Sequence, residues 1–246
     1  MVLQLGVLTK EEYNQCLFTA ESILAETSPV SANLVIGYEG TTLQNLADPT
    51  GATDGILYPN YSVDETNQKI VFSGGYGRTG NINQTFGSFE IFCKIPSTFA
   101  QRTYPQWYNC SCIMGCELDR QQQDFGLIID RYGYFAIGYS FSNITSSPIL
   151  AKDDSLHHLV LIHNNTSFRL YIDTVLRASV QYSTSGIIPS NYGIFWNNDG
   201  SLTHVDGEFY QFRYYTSSLT ESEILQNYNY CLSKVTNSEE GDSENG

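Results

Sequence analysis

The chain has 246 residues, enough for one large β-sandwich with a single core. Its 26 acidic residues outnumber its 12 basic ones, and the net charge of −14 argues against nucleic acid or an anionic membrane as its partner. No apolar run approaches the roughly 20 residues of a membrane-spanning helix. The 18 Tyr, 13 Phe and 20 Gly residues are typical of many short strands separated by turns.

The first organised segment is a predicted helix that begins at Thr9. Thr9 and Glu12 have the spacing of a capping box, and Ser28-Pro29 should end the helix after about Glu26. The start of the chain has no basic region or cleavage site, so we do not expect a secretory signal. We assign residues 1–30 to a helical arm that either docks and oligomerises or packs on the rest of the fold. Its apolar residues follow one narrow stripe, at Tyr13, Leu17, Ala20 and Leu24.

Residues 31–232 carry the pattern of a β-sandwich. Thr220 should cap a short helix that begins at Leu219 and runs to Tyr228, and residues 233–246 are predicted to form an acidic, flexible tail. Short apolar runs between turn residues predict strands at 33–38, 56–58, 69–72, 88–95, 106–113, 125–130, 134–140, 157–163, 168–172, 175–180, 191–196 and 207–214.

The stretch from residue 155 to 180 predicts three antiparallel strands in succession. Period-2 alternation on both sides of Asn- and Asp-containing connections is typical of a meander. The stretch resembles the central hairpin of laminin G-like domains, in the concanavalin A-like lectin and glucanase superfamily. The residues that carry the resemblance are His157 and His158 on one strand and Leu170, Tyr171 and Asp173 on the next.

Two substitutions mark this chain as a divergent member of that family. The family pattern is Trp-His-His followed by Leu-Tyr-x-Asp-Gly, and here Leu156 replaces the Trp and Thr174 replaces the Gly. The resemblance covers about residues 32–230. It implies an all-β, antiparallel jelly-roll sandwich, to which this chain adds an N-terminal helix and a short C-terminal helix. The same fold serves many functions, so the resemblance alone does not assign one.

Catalysis has one candidate motif. Laminarinase-type relatives use a strand with Glu-x-Asp followed by a second Glu, and this chain has Glu117 and Asp119. Gln121, Gln122 and Gln123 follow where the acid/base carboxylate should stand, so a retaining mechanism lacks its second carboxylate. We expect no enzyme activity. We also expect the paired histidines to be scaffold, one packed and one exposed, because adjacent strand residues face opposite ways.

Metal sites are weaker candidates. Calcium ions on the rim of related sandwiches are held by loop carboxylates, and Asp206 and Glu39 are the residues that could do so here. No other cofactor is expected. A zinc site is an alternative to buried free thiols or disulfides for Cys93, Cys110, Cys112 and Cys116, although their spacing matches no zinc knuckle.

A sugar-binding site is better supported. Such sites combine aromatic faces, which stack on a pyranose, with amides and charged groups that bind its hydroxyls. Two loops offer this mixture, and it is the clustering of their aromatic residues that indicates a site, because each one alone fits core or edge packing better than ligand contact. The candidate residues are Trp196, Asn197 and Asp199 in one loop and Tyr76, Arg78, Trp107 and Tyr108 around the other.

These features predict a non-catalytic binding or adhesion module, with a cell-surface glycan as its partner. Neighbouring virion subunits are the alternative partner, and the N-terminal helix could form a homo-oligomer. We expect the protein on a phage or viral virion surface, as a fibre or decoration protein, or in the extracellular space. The other interpretations are a carbohydrate-binding module of a secreted bacterial protein, a purely structural virion protein and a degenerate glycosidase.

Overall fold

The structure is a computed structural model that describes residues 28–82, 86–116, 124–182, 191–196 and 203–240, with side chains to Val235. The predicted N-terminal helix lies outside these residues. A helix, α1, spans Glu221–Glu240, and a 3-10 turn spans Trp107–Asn109. The strands are β1 Leu34–Glu39, β2 Ile56–Tyr58, β3 Tyr61–Asp64, β4 Lys69–Phe72, β5 Tyr76–Arg78, β6 Gly87–Lys94, β7 Ser111–Cys116, β8 Phe125–Ile129, β9 Tyr134–Tyr139, β10 Asn143–Leu150, β11 Leu156–Asn164, β12 Ser167–Ile172, β13 Val175–Gln181, β14 Gly193–Ile194 and β15 Gly207–Tyr215.

The strands form two antiparallel sheets, which confirms the predicted jelly-roll-like sandwich. Sheet A has eight strands in the order β13-β12-β11-β6-β15-β4-β3, with β1 also paired to β15. Sheet B has seven, in the order β10-β9-β8-β7-β14-β5-β2. Consecutive strands β2 and β3 are the last strands of sheet B and sheet A at one edge, so the chain crosses between the sheets there.

The core lies between the sheets, and strand alternation decides which side chains enter it. On β6, Phe89, Ile91 and Cys93 are buried in the main core. Glu90 and Phe92, which alternate with them, point to the outer face of sheet A. Because residues on this outer face are also buried, something other than the second sheet must cover them.

Helix α1 is that cover, and it corrects the expected C-terminus. The predicted helix ended at Tyr228 and the acidic tail began at residue 233, but α1 continues to Glu240. The prediction was therefore wrong for residues 233–240, while residues 241–246 lie outside the described part. Ile224, Asn227 and Cys231 recur at helical spacing and are completely buried on sheet A.

A buried charged network joins α1 to sheet A. The Arg213 guanidinium donates to Glu90 at 2.8 Å and pairs with Glu39. The Asn227 amide donates to Glu90 at 2.6 Å and to the Tyr215 hydroxyl at 3.0 Å. Burial raises the pKa of Glu90, but the charges of Arg213 and His158 outweigh it and keep that pKa below its ordinary value.

The predicted meander is confirmed as β11, β12 and β13. Asp173 and Thr174 form its second turn with φ of 50° and 70°, a left-handed pair of the kind that matches the twist of a hairpin. The two histidines face opposite ways, as expected, but the expectation that one is exposed was wrong. His157 enters the sandwich, and His158 lies completely buried under α1 with its Nε2 3.1 Å from Glu90.

No helix within the described residues is long and apolar enough to cross a membrane.

Candidate functional site

The candidate site lies on the outer face of sheet B, where β2, β5 and β14 meet at one edge. Gly77 on β5 faces the core, because a Cβ there would stand 2.9 Å from Leu43 and 3.5 Å from Ile194. Alternation therefore sends Tyr76 and Arg78 to the outer face. Tyr58 pairs with Tyr76 across the ladder and shares that face. Two of the expected site residues are thus placed together by the strand itself.

Four rings form a continuous aromatic row on this face: Tyr58, Tyr76, Trp196 and His204. The Tyr58 and Tyr76 ring centroids are 4.5 Å apart, and those of Tyr76 and Trp196 are 4.3 Å apart. The His204 ring lies 6.0 Å from Tyr76 and only 7° from parallel to it. Trp196 is itself buried, with 8% of its surface exposed, so it packs behind Tyr76. The surface that the row offers to a sugar is formed by the partly exposed rings of Tyr58, Tyr76 and His204.

Trp196 reaches the row through an unusual backbone turn. Ile194 and Phe195 are consecutive and both are completely buried in the core, which plain alternation does not permit. Phe195 has φ of 59°, and this left-handed conformation directs Trp196 to the opposite side. Such a conformation costs about 1–2 kcal/mol in a bulky residue. Backbone hydrogen bonds of 2.7 Å to Ile113 and 3.1 Å from Val205 hold it.

The row also contains a charge and an unmet hydrogen-bonding group. The Arg78 guanidinium carbon lies 5.9 Å from the Tyr58 ring centroid. The Nδ1 of His204 is buried, and no hydrogen-bond partner for it is found in the described part of the chain. Buried polar groups are almost always satisfied, so this atom is an exception among the polar groups of the row.

Trp107 and Tyr108 lie away from the row, which corrects their assignment to one site with Tyr76. Trp107 is completely buried and its indole N–H donates to the Ser140 carbonyl at 2.6 Å. It fills the space above Gly126 and Gly138 on β8 and β9, and β7 and β14 stand between those strands and β5. Tyr108 packs edge-on against Trp107. A ring enclosed in this way cannot stack on a sugar.

The remaining ligand-binding candidates, Asn197 and Asp199, lie outside the described residues, as do Glu117 and Asp119. Tyr58 and His204 were not predicted. Tyr58 could have been found, because the predicted strand 56–58 brings its last residue opposite Tyr76 once β2 and β5 are paired. His204 had no such signal, because its position depends on the chain returning past Phe195.

The expected calcium ligands do not form one site. Glu39 ends β1 opposite Gln211, and its carboxylate is occupied by Arg213 and by the Tyr230 hydroxyl at 3.0 Å. Asp206 precedes β15, and its carboxylate accepts the Gly74 amide at 2.6 Å. The pairing of Asp206 with Glu39 in a calcium site was therefore wrong, because each carboxylate already serves a different part of sheet A.

One cluster among the described residues has metal-ligand chemistry: Glu90, His158 and Cys231, whose ligand atoms lie within 4.8 Å of one another. The Arg213 guanidinium occupies its centre, 2.8 Å from the Glu90 oxygen and 3.4 Å from the Cys231 sulfur. A metal cation would have to displace this buried positive charge, so the cluster does not fit a metal.

The described cysteines are buried, and no disulfide joins any two of them. Cys93 lies on β6 in sheet A, whereas Cys112 and Cys116 lie on β7 in sheet B, and burial raises the pKa of the Cys110 thiol to about 12. Protonated thiols on different sheets do not form the expected zinc alternative. Cys16 lies outside the described residues.

The chain is similar to known proteins in family and in fold. A family model described as "Concanavalin A-like lectin/glucanases superfamily" matches residues 103–225. No curated protein is similar to this chain in sequence at a significant level.

Several solved structures share the fold at low sequence identity. Domain 4 of an extracellular arabinanase from Geobacillus stearothermophilus, in complex with arabinotriose, has a TM-score of 0.62 and 16% identity, over 80% of this chain and 98% of that domain. A Trypanosoma rangeli sialidase has a TM-score of 0.60 and 16% identity over 91% of this chain, which spans only 38% of the sialidase. The binding domain of botulinum neurotoxin serotype D has a TM-score of 0.56 and 12% identity, over 80% of this chain and 51% of that one.

Proposed function

Because the chain belongs to the concanavalin A-like lectin/glucanase superfamily, we propose that it is a glycan-binding module and that it binds through the aromatic row. The observation that carries the proposal is the contact of Tyr58, Tyr76, Trp196 and His204 on one outer face of sheet B. The arabinanase domain, similar in fold, was solved with arabinotriose, which shows that this architecture can hold an oligosaccharide. The source of affinity would be ring stacking on an apolar sugar face.

The module we propose is non-catalytic. The sequence supports this, because glutamines follow Glu117 and Asp119 where a second carboxylate is needed. Asp124 is the next carboxylate along the chain, and it is buried at the start of β8. Incubation with β-glucans should release no reducing ends, and activity that disappears in Glu117→Gln would overturn this part of the proposal.

The setting we propose is a virion or other extracellular surface, where the module would act in adhesion. The fold supports this setting, because the extracellular arabinanase and the neurotoxin binding domain also have it. Contacts with neighbouring subunits, through residues 1–30, are part of the same proposal.

A glycan array with the intact protein tests the site. We expect Tyr76→Ala to lower binding by at least about tenfold, since stacking on one aromatic ring contributes on the order of 1–2 kcal/mol. Trp196→Ala should also lower binding, because it removes the buried ring against which Tyr76 packs. Tyr132→Ala is the matched control, because Tyr132 is 64% exposed in the turn between β8 and β9. Thermal unfolding of every variant verifies that the fold is intact.

Two outcomes contradict the site. Binding that survives both substitutions in the row would move the ligand elsewhere on the fold. Absence of binding to every glycan would favour a purely structural role for the sandwich.

A further inference from the structure

Arg78 is a cation at the end of the aromatic row. It stands on the outer face of β5, two residues from Tyr76, with its guanidinium carbon 5.9 Å from the Tyr58 ring. Arginine presents a planar fork of donors that matches a carboxylate with two parallel hydrogen bonds. Its position beside Tyr58 and Tyr76 would place such a pair next to any sugar ring that stacks there.

The guanidinium of Arg78 has no acidic partner within the described residues. Acidic residues outnumber basic ones by 26 to 12 in this chain, so a carboxylate would be easy to supply. The buried Arg213 shows the alternative, because it is neutralised by both Glu90 and Glu39. Lys69 likewise pairs with Asp64 and Glu208 on sheet A. Within the described part of the chain, the interaction recorded for the Arg78 guanidinium is its contact with the Tyr58 ring.

We propose that the glycan bound by the aromatic row carries a carboxylate, as a uronic or ulosonic acid residue, and that Arg78 binds this carboxylate. This inference rests on the proposed glycan-binding function and adds the chemical class of the ligand. A carboxylated sugar offers both an apolar ring face for Tyr58 and Tyr76 and an anion for the fork. The overall charge of −14 opposes binding of anions elsewhere, so selectivity would depend on this one position.

The test compares two ligands that differ only in charge: an acidic oligosaccharide and the same oligosaccharide with its carboxyl groups reduced to alcohols. Affinities for the intact protein are measured by titration calorimetry at pH 7. We expect the wild type to prefer the acidic ligand by about tenfold. Raising the salt from about 20 to about 200 mM should weaken binding of the acidic ligand and leave the reduced ligand unchanged.

Substitution of Arg78 separates charge recognition from stacking. Arg78→Gln should abolish the preference and leave the affinity for the reduced ligand within about twofold of wild type. Arg78→Lys should keep part of the preference, because an ammonium retains the charge without the fork. Arg177→Gln is the matched control, since it removes one positive charge from an exposed position on β13 of sheet A.

The outcomes distinguish the two proposals. Equal affinity of the wild type for both ligands, or equal loss of both in Arg78→Gln, overturns the carboxylate proposal and leaves glycan binding intact. A sulfated, carboxyl-reduced ligand that binds as tightly as the acid also overturns it, in favour of general anion binding. Failure of the wild type to bind any glycan overturns both proposals.

Discussion

His157 is a buried histidine held between two carboxylates at the start of the meander. Its Nδ1 lies 2.8 Å from Asp173 and its Nε2 lies 3.2 Å from Asp153. Burial lowers the pKa of His157, but the bond with Asp173 and the charges of both carboxylates outweigh it, so the pKa lies above its ordinary value. Asp173 also accepts the His158 amide at 2.9 Å, which joins this charge pair to the backbone of β11.

This arrangement predicts a stability that depends on pH. A raised pKa in the folded state means that the folded protein holds the proton more tightly, so the stabilisation is complete below about pH 6.5 and is lost as pH rises through the folded-state pKa. We expect the free energy of unfolding of the wild type to fall as the pH rises above about 6.5, and His157→Gln to remove most of this fall. Urea unfolding at several pH values measures both slopes.

Asp173 contributes to stability over a different pH range from His157. Burial raises its pKa, but the bond to His157 and the His158 amide lower it below the ordinary value, so its contribution is lost only under acid conditions. Identical pH slopes for the wild type and His157→Gln in the neutral to alkaline range would contradict the role of His157.

Trp107, in the 3-10 turn, covers the outer face of strands β8 and β9. The 3-10 turn Trp107–Asn109 places the indole on the outer face of β8 and β9, where Gly126 and Gly138 leave room for it. The outer face of sheet B is therefore filled at these strands. Trp107 does not cover the edge formed by β2, β5 and β14, where the aromatic row lies.

Gly138→Ala tests this packing. An added Cβ would lie 2.6 Å from the Trp107 Cβ and 2.7 Å from its Cγ, so the tryptophan must move. We expect a loss of about 1–3 kcal/mol in stability from overpacking, measured by chemical denaturation. Gly37→Ala is the control, because its nearest contact would be an ordinary 3.5 Å to Leu34. Similar losses in both variants would show that the strand, not the tryptophan, determines the cost.

Helix α1 supplies the second element-scale test. Asn227 accepts the Val30 amide at 2.8 Å and donates to Glu90 and Tyr215, all in a buried setting. Asn227→Ala should cost about 2–4 kcal/mol, since it leaves several buried polar groups unsatisfied. Gln226→Ala is the control, because the half-buried Gln226 loses one solvent-exposed hydrogen bond of 2.8 Å to the Ser28 carbonyl and should cost less than about 1 kcal/mol. A small loss in both would indicate that the network adds little to stability.

At the scale of the whole molecule, alternation made the sandwich and its meander predictable. Tyr76 and Trp196 could also be predicted as candidate site residues from the sequence, because both stand beside glycine- and asparagine-rich turns. The burial of Trp107 could not be predicted from the sequence, since it depends on Gly126 and Gly138, which β8 and β9 bring under the indole ring. The burial of His158 and the length of α1 were missed for a related reason: a polar sequence continued the helix, and only the folded molecule shows that sheet A needs a cover.

The proposed assembly through the N-terminal segment is testable at this scale. We expect the full chain to assemble into more subunits than a chain that begins at Ser28. The number of subunits is the molar mass from light scattering after gel filtration divided by the mass of the single chain. Leu17→Asp combined with Leu24→Asp should reproduce the effect of the truncation, because these residues belong to the predicted apolar stripe. The same number of subunits in all three proteins would rule out the segment as an oligomerising arm.

The hydrogen bond between Asn227 and Val30 has a practical consequence for how the protein is presented. It brings the beginning of the described chain and helix α1 together on the outer side of sheet A. The aromatic row lies on the outer side of sheet B, across the full thickness of the sandwich. A tether attached near residue 28 or beyond α1 would therefore hold the protein on the sheet A side, and the row on sheet B would face away from the support.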